Sequence, residues 1–262
     1  MPFTPAHVAA ILPFTVGRPG RWLVPAALAI GAMIPDLPYF LPAPARTSEV
    51  SHAWYGPITL DLINGIGLWI AWELLLRVPL ADASPAWLRL RLPPRTPLDP
   101  GRCVAAGVSV LIGAASHVLW DAFTHADRWG TTRMPALNDV VGGLPVYKWL
   151  QFGSGLLGML VLAVWFGWWL RRTPRRDDPS PDPAADRRRR LAWGLLGAVV
   201  LVAPPVIWAT AAEGSLERTA FLTVTRSIGV VAIALILLCL VWPNPKPAAP
   251  AAPAPTAKAD QP

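Results

Sequence analysis

Gly113-Ala-Ala-Ser-His117-Val-Leu-Trp-Asp121-Ala-Phe-Thr-His125 closes an apolar run that begins at Cys103. Residues four apart on a helix share one face, drifting by about 80° over two steps, so His117, Asp121 and His125 look the same way. The upstream positions of that register, Ala105, Ser109 and Gly113, are all small. One narrow side of the helix is therefore shaped for close packing, and it turns polar towards its C-terminal end. The run is long enough to cross a bilayer, where ionisable groups are costly and are retained for function.

The surrounding composition agrees with a membrane setting. The 262 residues are 53% hydrophobic and only 15% charged, with 14 tryptophans. Apolar runs of about twenty residues do not occur in soluble domains of this size. The pattern predicts an all-α, polytopic membrane helix bundle with six long spans, at 22–41, 56–76, 103–123, 150–170, 191–212 and 221–242. A short N-terminal membrane helix over 5–17, broken by Pro13, precedes them. The opening residues lack the basic start of a cleavable signal peptide, so these first helices are expected to stay. The net charge of +7 sits in arginine pairs and one run flanking apolar segments, which speaks for membrane topology and against nucleic acid. Cys103 and Cys239 form no CxxC and suggest neither a disulfide framework nor a thiolate site.

Four regions follow from composition. Residues 1–172 form a membrane core carrying every candidate ligand. Residues 173–190 read as a charged linker without an apolar face. Residues 191–242 read as an accessory two-helix segment, and 243–262 as a disordered Pro/Ala-rich tail. There is no internal repeat. Placing the 78–101 loop, the linker and the tail in the cytoplasm leaves only Arg46, Arg128, Arg133, Lys148, Arg218 and Arg226, of 23 basic residues, on the far side. The candidate site then faces the non-cytoplasmic side of the cell membrane. Counted by helix rise from Arg21 and Arg102, Asp36 and His117 both lie about 22 Å up, and His7 lies about 16 Å up from Arg18.

All four histidines, His7, His52, His117 and His125, lie in the first half of the chain near the ends of apolar segments. Asp36 and Asp121 match their positions. Imidazole nitrogen and carboxylate oxygen suit a divalent metal such as zinc, held as one ion or as two sharing a carboxylate. Any single histidine reads equally as a helix-end residue bonded to a carbonyl; four of them with two aspartates at a common depth do not. Asp61 is either a functional group or a partner of Asn64 or of a neighbouring backbone. Glu73 and Arg77 read as a helix-end ion pair. Lys148 and Gln151 open the fourth span as interfacial anchors or phosphate contacts.

Several stretches carry a resemblance: Met1-Pro-Phe-Thr-Pro-Ala-His7, Gly31-Ala-Met-Ile-Pro-Asp36, Ser51-His52, Ser116 to His125, and Leu144-Pro-Val-Tyr-Lys148-Trp-Leu-Gln151-Phe-Gly-Ser154. In these the chain resembles the bacterial membrane family named for domain of unknown function 4184, over nearly all of residues 1–170. It is more loosely similar to the LexA-regulated membrane-bound metal-dependent hydrolases, departing from them at Pro35-Asp36-Leu37-Pro38-Tyr39. In the order His, Asp, His, His-x-x-x-Asp, His it resembles the zinc phospholipase C and P1 nuclease group. That last resemblance implies Asp36 as the residue serving the water nucleophile and Asp121 as a bridge between two zinc ions. The later His-x-x-x-Glu of that group has no counterpart. The expected activity is metal-dependent hydrolysis of a phosphoester, lipid-linked and at the outer leaflet, with membrane lipids as partners. A divalent-metal or proton transporter and a non-catalytic scaffold with structural histidines are the competing readings.

Overall fold

The structure, a computed structural model, describes residues 4–16, 22–41, 43–177, 182–211 and 215–243. The expected tail, from residue 244 on, and residues 178–181 of the expected linker lie outside the described residues. Among the described residues the regular structure is helical apart from one two-stranded hairpin. Among the described residues five helical segments are long and apolar enough to cross a membrane: Leu60–Ala83, Pro100–Thr124, Val146–Arg172, Pro183–Thr210 and Leu216–Val241.

The N-terminal segment is short and tight: a 3-10 turn Thr4–His7, one helical turn α1 (Val8–Ile11), and a second 3-10 turn Leu12–Thr15 around Pro13. The first of the six expected spans comes in pieces. Helix α2 (Pro25–Met33) starts with Pro25 in its first turn, where the missing N–H costs nothing. Pro35 then tightens the backbone into a 3-10 turn Ile34–Asp36, followed by the short α3 (Leu37–Phe40). This segment is too short to cross the hydrocarbon as one regular helix. Its prolines instead set Asp36 at a bend buried inside the bundle.

After α4 (Ala45–Ser51), helix α5 (Leu60–Ala71) passes through a π-helical turn, Trp72–Leu76, into α6 (Arg77–Ala83). A short α7 (Ala86–Arg89) follows. Helix α8 (Pro100–Thr124) is the centre of the bundle, and Asp99 caps it by accepting from the Arg102 N–H at 2.9 Å. A methyl on Gly31 would run into the Val110 carbonyl, and one on Gly113 into the Leu28 carbonyl and the Ala32 amide. Helices α2 and α8 therefore touch backbone to backbone, as small residues permit in membranes. Around this crossing Ala27, Ile30, Ile34, Trp69, Ala106, Val110 and Ala114 make the main apolar core.

Beyond α8 come α9 (Trp129–Arg133) and a hairpin of β1 (Val140–Val141) and β2 (Leu144–Pro145). Its two-residue turn is Gly142-Gly143, both at positive φ, as such a hairpin requires. The hairpin leads directly into α10 (Val146–Arg172). Helices α11 (Pro183–Ala211) and α12 (Leu216–Val241) pack on each other. The arginine run 187–190, read from composition as linker, forms early turns of α11. There Arg189 pairs with Asp82 at 2.7 Å, and the Trp193 indole donates to the Ala83 carbonyl at 2.8 Å. The helix pair also reaches the other end of the core: Phe221 packs edge-on against Tyr39, and Gly229 lies against the Phe40 carbonyl.

Candidate metal centre

His117 sits one turn beyond Gly113, where α2 comes closest, and its Nδ1 lies 2.8 Å from the Ala32 carbonyl. That bond assigns the proton to Nδ1 and leaves the Nε2 lone pair pointing away from it. Nε2 is buried without a hydrogen-bond partner. It stands 3.5 Å from Asp36 Oδ1 and 3.5 Å from Asp121 Oδ2. His52, at the end of α4, repeats the arrangement. Its Nδ1 lies 2.9 Å from the Ser48 carbonyl, and its Nε2 is 3.2 Å from Asp36 Oδ1 and 3.5 Å from Asp121 Oδ2.

Two nitrogens and two oxygens thus form one group, with all four atoms within 4.8 Å of one another. A tetrahedral site with bonds of about 2.1 Å has edges of about 3.4 Å. The four cross-distances given above lie at 3.2–3.5 Å. His117 and Asp36 are fully buried, and Asp121 is 2% exposed. Two carboxylates facing two imidazole lone pairs in a buried site repel one another unless a cation lies among them. The donor set, its charge and its spacing fit one divalent ion, and the carbonyl bonds to Nδ1 are the outer support that metal-bound histidines receive.

The other two sequence-read residues stand beside this group. The His7 ring stacks on His117 at 3.8 Å, with Nε2 3.5 Å from Asp121 Oδ1. Its Nδ1 is buried without a partner. His125 lies just past the end of α8 with extended backbone, so the helical register does not carry it into the group. Its Nδ1 is 3.2 Å from Asp121 Oδ1, and its Nε2 meets the Gln151 amide at 2.5 Å. Between His7, His125, Gln151 and Thr4 lies a cavity of about 20 Å³, room for one water.

Four contributors were not legible in the spacing. Thr4 donates to Asp36 Oδ2 at 2.5 Å. Gln151, read as an anchor or a phosphate contact, instead orients His125, while the Lys148 ammonium lies 6.0 Å from the Phe152 ring. Asp61 takes its hydrogen bond from Ser51, the neighbour of His52, and not from Asn64. Arg128 reaches the rim, donating to the His52 carbonyl at 3.4 Å. The contacts of Thr4 with Asp36, Gln151 with His125 and Arg128 with His52 join residues at least 26 positions apart, beyond any local periodicity.

The model of the family described as domain of unknown function (DUF4184) matches residues 1–242, and the chain belongs to that family. The match takes in α11 and α12 as well as the core. No curated protein and no solved structure matches the chain.

Proposed function

We propose that this DUF4184 protein is a membrane-embedded metal-dependent hydrolase acting on a phosphoester, one carried on a lipid in the leaflet that its site faces. One observation carries the reading. His52 and His117 set their Nδ1 atoms on backbone carbonyls and turn their Nε2 atoms towards two buried carboxylates, that of His117 without a hydrogen-bond partner and that of His52 within hydrogen-bond distance of Asp36. In this reading His52, His117, Asp36 and Asp121 hold one divalent ion, with zinc the metal best suited to that donor set. Such an ion supplies a Lewis acid for a phosphoryl oxygen and makes a neighbouring water acidic near neutral pH.

The chain's own groups would do the rest. Asp36 engages Thr4 through Oδ2 and the ligand group through Oδ1, which makes it a ligand first. His7 and His125 border the water-sized cavity, and the unpartnered Nδ1 of His7 leaves that ring free to take the water's proton. Arg128 at the rim offers a guanidinium to the phosphate charge. His125 is tied to Gln151 and stands outside the four-atom group, which favours one ion over a bridged pair. The basic-residue asymmetry favours the outer leaflet and a cytoplasmic linker.

The test is metal analysis of the purified full-length protein together with hydrolysis of bis(p-nitrophenyl) phosphate. The expected result is about one zinc per chain, with metal and hydrolysis both lost in a folded His117→Ala variant. A wild-type protein that takes up no divalent metal overturns the reading. Metal binding with no hydrolysis, but with ion uptake into proteoliposomes, would turn it into transport.

A further inference from the structure

At the opposite end of α8 another carboxylate is buried. Glu73 lies in the π-helical turn Trp72–Leu76, a distortion that recurs at functional sites. Its side chain is fully buried and accepts from Arg77 Nη1 at 2.9 Å and from Arg102 Nη2 at 2.9 Å. The guanidiniums thus come from two different helices, and Arg77 also donates to the Pro94 carbonyl at 3.0 Å. Arg102 meets Glu73 through its Nη2.

This trio heads a cavity of about 560 Å³ walled by Val24, Trp72, Leu80, Leu88, Leu92 and Pro93. A second cavity of about 530 Å³ adjoins it through Val24, Pro25, Thr96 and Arg102. Helix rise puts Arg102 about 22 Å from His117, at the bundle end where the basic residues gather. The volume is that of a small-molecule site. Among the described residues the lining holds two guanidiniums and one carboxylate, which leave one positive charge in a mostly apolar cleft, a setting in which an unbalanced charge is costly. A free anion would answer the charge and leave the walls uncovered, and a neutral lipid would do the reverse.

We propose that this cleft binds one anionic phospholipid, its phosphate on Arg102 and Arg77 and an acyl chain along Trp72, Leu80 and Leu88. Basic pockets between membrane helices take anionic head groups in this way. The site is independent of the metal centre.

The test uses the full-length protein in a neutral detergent, with native mass spectrometry and thermal unfolding after adding dioleoyl-phosphatidylglycerol, dioleoyl-phosphatidylcholine or inorganic phosphate. Phosphatidylglycerol should give a one-to-one adduct and raise the unfolding midpoint, and the other two should do neither. Arg102→Gln should weaken that adduct about tenfold, as loss of one charge-assisted contact does. Leu80→Trp, which fills the apolar cleft and leaves every charge in place, should abolish it. Equal shifts with phosphatidylcholine, or the full shift with phosphate alone, overturn the proposal. So does an undiminished adduct in Leu80→Trp, which decides the matter even if Arg102→Gln fails to fold.

Discussion

The two ends of α8 both bury carboxylates, and they neutralise them by opposite means. Near Arg102, Glu73 is held between two guanidiniums that carry their charge permanently. Near His117, Asp36 and Asp121 face imidazoles whose protons are already committed to carbonyls. At the first end the chain's own charges neutralise the carboxylate and leave one guanidinium charge over. The second leaves a gap in its electrostatics that an exchangeable cation fits. A buried acid in a membrane protein is thus informative only with its partners: arginines lock it internally, and carbonyl-tethered histidines leave room for a cation.

Breaking the lock should have the largest effect. Glu73→Ala leaves two guanidiniums crowded and unpaired, and removing one partner of a buried pair costs about 3–5 kcal/mol. Thermal unfolding should show that loss, while metal content per folded chain stays at the wild-type level because the ends are far apart. A parallel loss of metal from folded protein would mean that the two ends are coupled.

The next test strikes the seam that joins them. Gly113→Ala drives a methyl into the Leu28 carbonyl and the Ala32 amide, and overpacking of this kind costs about 1–3 kcal/mol. It should also lower metal affinity, because Ala32 and Asp36 both ride on the displaced segment. Gly153→Ala is the control, since nothing lies within 4 Å of its added methyl, and its effect should stay within about 0.5 kcal/mol. Equal destabilisation by the two variants would remove the packing argument.

The smallest effect belongs to the outer supports. Thr4→Val removes the donor to Asp36 Oδ2 and should weaken metal binding about tenfold, the low end for loss of such a partner. Competition with a chromogenic chelator would measure it. An unchanged affinity would separate Thr4 from the centre, and a loss as complete as that of His117→Ala would make Thr4 part of it.

How far the sequence carried can be judged from single residues. His117 and Asp121 were legible because helix periodicity is local and both lie inside one regular helix. Asp36 was legible because helix rise counted from Arg21 sets it at the depth of His117. His125 follows the same four-residue spacing, yet the helix ends at Thr124, and spacing alone does not report a helix end. Glu73 and Arg77 were readable as neighbours one turn apart. Arg102, 29 positions on, was not readable as their third member. Pro35 and Pro38 shortened the first expected span. The composition that marked 187–190 as linker missed the Arg189–Asp82 pair that anchors a helix there.

The sequence by itself determined the helical membrane class, the family and the set of groups with metal chemistry. Each of these rests on composition, on periodicity or on short motifs, and so on residues near one another in the chain. Only the tertiary structure decided which lone pairs face which oxygens, that His125 stands beside the group of four, and that α12 packs against Tyr39 next to His52. Those outcomes depend on how closely two backbones approach at Gly31 and Gly113 and on which distant carbonyl each imidazole finds. They are properties of the whole packing, which no local stretch of sequence encodes.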